Sequence, residues 1–409
     1  MVLPVVRRHD DEGHAVAGID ERCGPLQTRS PAGRAEQEGR DAEEPVPDEA
    51  AAPFVQGLVE AEERALESVG IHGGTLREAG EHAAARRPPT SDHVRPVTGY
   101  ARRVFDVLGI GVATVDDFLR VPHLPAPDTK VRVIDSERAC GGLCATALVS
   151  AARLGASVAY AGVLGTDDLS DFVLRSLEDE GVDTSHVDRL PDAGPGHSII
   201  VVDPDGRRTV YSDPRRMLAG ADDRPPASVI REARVLLVDH VRIAASIRAA
   251  RIGRWEGIPV VADIERDDDP RLPELLALVD HLVVPIAFGE RLTGASDPGG
   301  ILAALRSPGR TTVLTAGAAG AWYMGPDADD RPAHRRAFEV DGVDTTGCGD
   351  AFHGAYAAGL AFGLDLAGRV RLANAVAALT ATRLGGRAGI PDRTAVEAFL
   401  VAQPDPSQG

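Results

Sequence analysis

The stretch DTTGCGDAFHGAYAAGLAFG, residues 344–363, places Gly347 and Gly349 on either side of Cys348 and follows them with a carboxylate, Asp350. A run of small residues with helical spacing comes next. A loop without bulk at a helix start presents successive backbone N–H groups, and the helix dipole favours an anion there. Asp350 falls in the first helical turn. A carboxylate repels a bound phosphate, so its useful role is to take a proton from a hydroxyl that attacks the phosphate. The loop by itself also fits a plain glycine turn with Asp350 as a helix cap.

These residues need a scaffold. AFEVDGV, just before the loop, is strand-like. Order begins at Val104, where VFDVLGIGVA reads as a buried strand. ATALVSAARLGA (145–156) has helical spacing closed by Gly155, SVAYAGVLG reads as another buried strand, and LSDFVLRSLEDEG as a helix. After a hairpin signature at SIIVVDPDGRRTVYS (198–212), strands and helices alternate through RVLLVDH, SIRAARIGRWEG, PVVADI, PELLALVD, HLVVP, GGILAALRS and TTVLTAG. Apolar strands alternating with helices predict a mostly parallel sheet covered on both faces. Residues 116–136 and 198–212 interrupt that rhythm and are expected to form a small β lid. Ligands of such folds sit at the carboxyl ends of the strands.

Composition bounds the rest. The chain has 409 residues and a net charge of −18, which argues against nucleic acid or an anionic membrane as partner. No apolar run approaches the ~20 residues of a membrane span, and the N-terminus lacks a signal-peptide pattern, so a cytoplasmic location is expected. Four cysteines, Cys23, Cys140, Cys144 and Cys348, fit a reducing compartment. Residues 1–100 carry 11 arginines and 19 acids without sustained periodicity, and are expected to be a largely disordered extension. An isolated helix from Phe54 is the exception. The ordered body would occupy 101–402, with a flexible tail at 403–409. Of 44 basic residues only Lys130 is a lysine.

GVATVDD (111–117), ACGGLCATALVSAARLGA, GVLGTDDLSDFVLRSLEDEGVDTSHV, VLTAGAAGAW, DTTGCGDAFHGA and RLANAVAALTATRLGGRAGIP occur in the order of the ribokinase-like carbohydrate kinases, the phosphofructokinase-B family, which residues 104–400 resemble. The resemblance implies a ribokinase-like three-layer α/β/α sandwich with a small β lid. It implies Asp350 as general base and Gly347, Cys348 and Gly349 as an anion hole. Asp116, Gly141 and Gly142 would hold sugar hydroxyls. Thr315, Gly317 and Gly320 would line the ATP site with Asn374 nearby. Magnesium would bridge the ATP phosphates, and a monovalent cation, potassium, would sit by Asp344 and Thr346. A homodimer closed through the lids follows from exposed lid edges.

Three departures matter. Cys348 stands where the family usually has alanine; its thiol is either inert packing or activated by the helix terminus. Thr146 stands where many members have asparagine. Pro285 and Phe288 occupy the places of an Asn-x-x-Glu element, with Glu290 out of register. These features resemble the branch containing sulfofructose kinase, in which a lid lysine at the position of Lys130 binds an anionic group of the substrate; Arg242 is a second candidate cation, and Ser212 falls near a polar lid position. Two other classes are weighed. A dinucleotide-binding oxidoreductase needs a third glycine where Thr114 stands. A non-catalytic binding protein would have no use for Asp350. A nucleoside kinase stays open within the same fold.

Overall fold

The structure, a computed structural model, describes residues 105–403 except 206, 219, 221 and 328–330. The extension expected at 1–100, its helix from Phe54 and the tail beyond 403 lie outside the described residues.

In chain order the elements are β1 (Phe105–Ile110), β2 (Thr114–Arg120), β3 (Asp135–Gly141), α1 (Leu143–Arg153), β4 (Val158–Tyr160), β5 (Val163–Leu164), α2 (Asp168–Asp179), β6 (Asp188–Arg189), β7 (Gly196–Val202), β8 (Arg208–Asp213), α3 (Ala227–Ile230), β9 (Ala233–Asp239), α4 (Ile243–Glu256), β10 (Val260–Asp263), α5 (Leu272–Leu278), β11 (His281–Pro285), α6 (Ile286–Thr293), α7 (Pro298–Ala304), β12 (Thr311–Thr315), β13 (Ala321–Met324), β14 (Ala333–Arg335), α8 (Cys348–Ala361), α9 (Leu366–Thr380) and α10 (Arg393–Ala402).

The apolar runs of β1, β4, β9, β10, β11 and β12 pair in parallel, and β13 and β14 extend one edge antiparallel. Successive side chains point to opposite faces. Val107, Val235, Val261, Val283 and Val313 therefore meet the layer of α1, α8 and α9. Leu108, Leu236, Val260, Leu282 and Leu314 meet the layer of α4 to α7. Each fully buried Leu or Val contributes about 1.5–3 kcal/mol by leaving water. This is the expected three-layer sandwich.

Two local readings change. SVAYAGVLG is not one strand. β4 joins the main sheet, the chain bends at Gly162 against the Tyr160 ring, and β5 pairs with β6 in a separate two-stranded sheet. AFEVDGV is not a strand either; β14 ends at Arg335, before it. The carbonyls of Arg335 and Arg336 accept from the Asn374 side chain, and Phe338 packs edge-on against Phe399 of α10. The Phe338 ring and the Val343 N–H, which donates to the Ala381 carbonyl just after α9 at 2.7 Å, tie this segment to helices in place of a sheet neighbour.

The lid is a four-stranded sheet in the order β3-β2-β7-β8. Its strands extend slightly past the expected spans, and Val202 pairs with Arg208 across the predicted hairpin. In its ladder Asp116 lies opposite Ala139 on one side and Ser198 on the other.

The small residues of α8 have a packing reason. A Cβ on Gly354 would lie 1.9 Å from the Ala147 carbonyl oxygen, and the Ser150 hydroxyl donates to the Ala351 carbonyl at 2.8 Å. Helices α1 and α8 thus touch backbone to backbone. Both begin at glycines, Gly142 and Gly347.

Candidate active site

Helices α2, α7, α9 and α10 each start under an aspartate side chain that accepts an N–H of the first turn. Helix α8 does not. Its N-cap is Gly347 at φ 73°, with no side-chain cap. That conformation suits glycine alone, and an added Cβ would lie 2.2 Å from the Gly386 carbonyl oxygen. Gly349 is exposed, with no atom within 4 Å of where its Cβ would be. The Cys348 N–H donates to the Thr345 carbonyl at 3.3 Å, and the Gly349 side of the turn faces open space, an arrangement that suits an anion. Cys348 adds no reactive thiol. Burial, then the charges of Asp344 and Asp350, push it up to about 11.

Asp350 is half-buried in that first turn. Its carboxyl lies well above the usual range, because of burial first and then the charges of Asp263 and Glu265; His353 and Arg387 pull the other way. A carboxylate raised in this way is a stronger proton acceptor. His353, one turn on, is buried. Its Nδ1 is 2.7 Å from the Gly349 carbonyl oxygen and 3.3 Å from Asp263 Oδ2, and its Nε2 is 2.9 Å from the Val283 carbonyl oxygen. Asp263 closes β10, and neither carboxylate oxygen makes a hydrogen bond among the described residues.

The double-glycine turn lies on the other side. A Cβ on Gly141 would be 2.9 Å from Asp116 Oδ2, so the carboxylate of the lid strand stands over this turn. Burial raises the Asp116 carboxyl, opposed by a hydrogen bond with the Ser198 side chain and by the charges of His197 and Arg387. Gly142 has φ 98°, and its missing Cβ would strike the Val112 carbonyl oxygen at 2.6 Å. Thr146 is buried in the first turn of α1, where its hydroxyl accepts from Arg387 Nε at 3.3 Å.

A carboxylate base, an amide cradle and a second carboxylate over a glycine turn form the equipment for moving a phosphoryl group onto a hydroxyl. Sequence comparison agrees. The family described as pfkB family carbohydrate kinase matches residues 106–393. The chain belongs to that family. It is 27% identical over 304 residues to a ribokinase of Staphylococcus aureus (strain COL), covering 70% of this chain and 96% of the relative. It is 30% identical over 301 residues to an ATP-dependent ribose-1-phosphate kinase of Halopiger xanaduensis, covering 72% and 97%. Arabidopsis thaliana ribokinase complexed with ribose and ATP shares the fold, with a TM-score of 0.65 at 23% identity over 72% of this chain and 98% of that one. The protein is therefore a carbohydrate kinase with an ATP site.

The remaining expected residues of the kinase fall in three groups. Thr315 ends β12, and Gly317 and Gly320 form the tight turn after it, at the carboxyl end of the sheet. Asn374 is buried and its amide is spent on the carbonyls of Arg335 and Arg336; an added Cβ on Gly320 would lie 2.1 Å from that same Arg335 oxygen, so Asn374 supports the turn from behind. Asp344 Oδ1 accepts from the Thr346 N–H and hydroxyl at 2.9 and 2.7 Å, and Oδ2 accepts from the Gly385 N–H at 2.9 Å. Burial raises this carboxyl, and these bonds outweigh it, giving a net lowering. Pro285 ends β11 and Phe288 is a core residue, while Glu290 is exposed.

The lid ladder ends at Arg120 opposite Asp135, and Lys130 is exposed in the loop beyond. Asp116 lies four residues back, roughly 13 Å along the strand. Arg242 is buried at the start of α4, after β9. Sequence reasoning overlooked Asp263, His353, Asp239 and Arg387. Asp239 ends β9 and accepts from the Val112 N–H at 2.7 Å, pinning the turn into β2. The strand-end rule, applied to PVVADI and RVLLVDH, is the signal that finds both aspartates. His353 follows from helical spacing, three residues after Asp350. Arg387 stood inside GGRAGIP, a lone charge among small residues.

Proposed function

We propose that the kinase transfers the terminal phosphoryl group of ATP to a primary hydroxyl of a ketose or ketose derivative. The observation that carries this reading is the glycine-capped start of α8 with Asp350 in its first turn. The sugar lies under Asp116 against the Gly141–Gly142 turn. Asp350 takes the hydroxyl proton as the new bond to phosphorus forms. The amides of 347–349 hold the phosphoryl oxygens, whose charge must be steadied as they pass. Asp263, whose carboxylate makes no hydrogen bond among the described residues, would with Glu265 hold a magnesium ion entering with ATP, which would neutralise phosphate charge. Asp344 and Thr346 would hold a potassium ion, whose charge would steady the cradle loop. A second copy of the chain covers the lid, where Ile134, Val210 and Tyr211 are exposed and β3 and β8 are free edges. Tyr211→Glu then leaves a monomer in sedimentation.

One observation favours an acceptor that already carries an anion. The Halopiger relative acts on ribose-1-phosphate. The pattern DTTGCGDAFHGA with GGRAGIPD also resembles that of the sulfofructose kinase branch. ADP release is measured with D-ribose, 2-deoxy-D-ribose, D-fructose, ribose-1-phosphate, fructose phosphates, 6-deoxy-6-sulfofructose and adenosine. Turnover on a ketose or its anionic derivative is expected. Turnover confined to adenosine, or none on any sugar, overturns the reading.

A further inference from the structure

We propose that Arg387 is a positioning residue of this site: its guanidinium fastens the double-glycine turn to the loop behind the anion cradle and sets a fixed positive charge beside the reacting centre. This rests on the reading of Asp350 as the base.

The fastening is built from three hydrogen bonds. Nε donates to Thr146 Oγ1 at 3.3 Å, Nη1 to Ser176 Oγ at 3.3 Å and Nη2 to the Gly141 carbonyl at 3.1 Å. These acceptors belong to α1, α2 and the end of β3. The residue before it, Gly386, is the one whose carbonyl backs Gly347. The loop is gripped from the far side as well. Arg153 Nη1 donates to the carbonyls of Arg387 and Ile390 at 3.0 and 2.6 Å, and the same guanidinium pairs with Glu180 at 2.6 Å. One strap therefore spans the sugar turn and the phosphate cradle.

Neutral acceptors do not require a charged donor. The guanidinium sits at the N-terminus of α1, where the helix dipole opposes a cation. Its three hydrogen bonds go to neutral acceptors, and burial lowers its pKa. A half-buried cation in such a place is costly unless an anion arrives. Asp350 is one such anion. Asp263 and Glu265 face it from β10 and the segment after it, His353 from its own helix, Cys348 from the cradle and Cys144 from α1. Burial keeps both thiols neutral. Two acids thus push a proton onto Asp350, and Arg387 with His353 opposes them.

The test follows the Asp350 carboxyl directly. The full chain is labelled with ¹³C at aspartate carboxyls, the Asp350 signal is assigned by its loss in Asp350→Asn, and it is titrated without sugar. Arg387→Gln is expected to raise the midpoint by about one pH unit. Arg387→Lys keeps the midpoint but raises several-fold the KM for the most active sugar of the panel above, since an ammonium cannot span three acceptors. Thr146→Val raises that KM and leaves the midpoint. An unmoved midpoint in folded Arg387→Gln overturns the proposal. Should that variant not fold, a wild-type KM in Arg387→Lys overturns it. Normal turnover in Asp350→Asn would instead remove the base reading itself.

Discussion

Helices α1 and α8 lie side by side, begin at glycines with positive φ and lack side-chain caps, yet opposite charges meet their N-termini. Helix α8 carries an acid in its own first turn and leaves Gly349 facing open space. Helix α1 has no acid there, and a protein cation, Arg387, reaches its first turn. Two uncapped glycine starts thus make a receptor at one end and a plugged anchor at the other. A bare helix terminus is an anion site only where the surrounding chain leaves it empty.

The largest break in this comparison comes from Asp350→Asn. ATP affinity stays, measured by calorimetry, and turnover falls about 10²–10⁴-fold, the worth of a general base. Near-normal turnover would remove Asp350 from the chemistry. Gly347→Ala and Gly142→Ala come next and should part company. Both force alanine into a left-handed backbone against a carbonyl oxygen, at about 1–2 kcal/mol or more, seen as a lower denaturation midpoint. Gly347→Ala distorts the cradle and lowers kcat about 10²-fold. Gly142→Ala distorts the anchor and chiefly raises KM for the sugar. Equal effects on both constants in both variants would erase the distinction.

Gly349→Ala sharpens it further. Its Cβ meets no protein atom, so stability should stay within about 0.5 kcal/mol. Turnover falls if the phosphoryl group passes through that space, and wild-type kcat would show that the group passes elsewhere. Asp263→Asn removes a charge together with a proposed magnesium donor. It removes one of the acids that push Asp350 upward. A base works only when deprotonated, so lowering its pKa moves the acid limb of kcat/KM to lower pH. Arg387→Gln moves it to higher pH. Limbs that shift in the same direction would refute this balance.

The contrast was half visible in the sequence. Gly347, Gly349 and Asp350 are neighbours in the chain, so their convergence needs only a helix start. The alternating strands were legible for the same reason, since periodicity is local. Arg387 and Thr146 are 241 residues apart and meet only in the folded chain. No local pattern announces that. AFEVDGV misled for the converse reason. Its apolar spacing suits a strand, but Phe399 of α10 packs on Phe338 and the Ala381 carbonyl after α9 takes the Val343 N–H.

Lys130 is the smallest test and separates lid from core. As the one lysine among 44 basic residues it drew attention in sequence. The structure sets it in an exposed loop past the end of the lid ladder, whereas Arg387 is already built into the site. A solvated ammonium on a loop contributes little unless lid closure carries it to the ligand. Lys130→Ala should therefore change kcat/KM for D-fructose by less than about twofold, in line with a surface substitution. A selective rise in KM for a sugar phosphate, with D-fructose unchanged, would assign anion recognition to the lid. An equal fall on both acceptors would instead mean that the loop orders the lid itself, and the contrast between a mobile cation and a built-in one would fail.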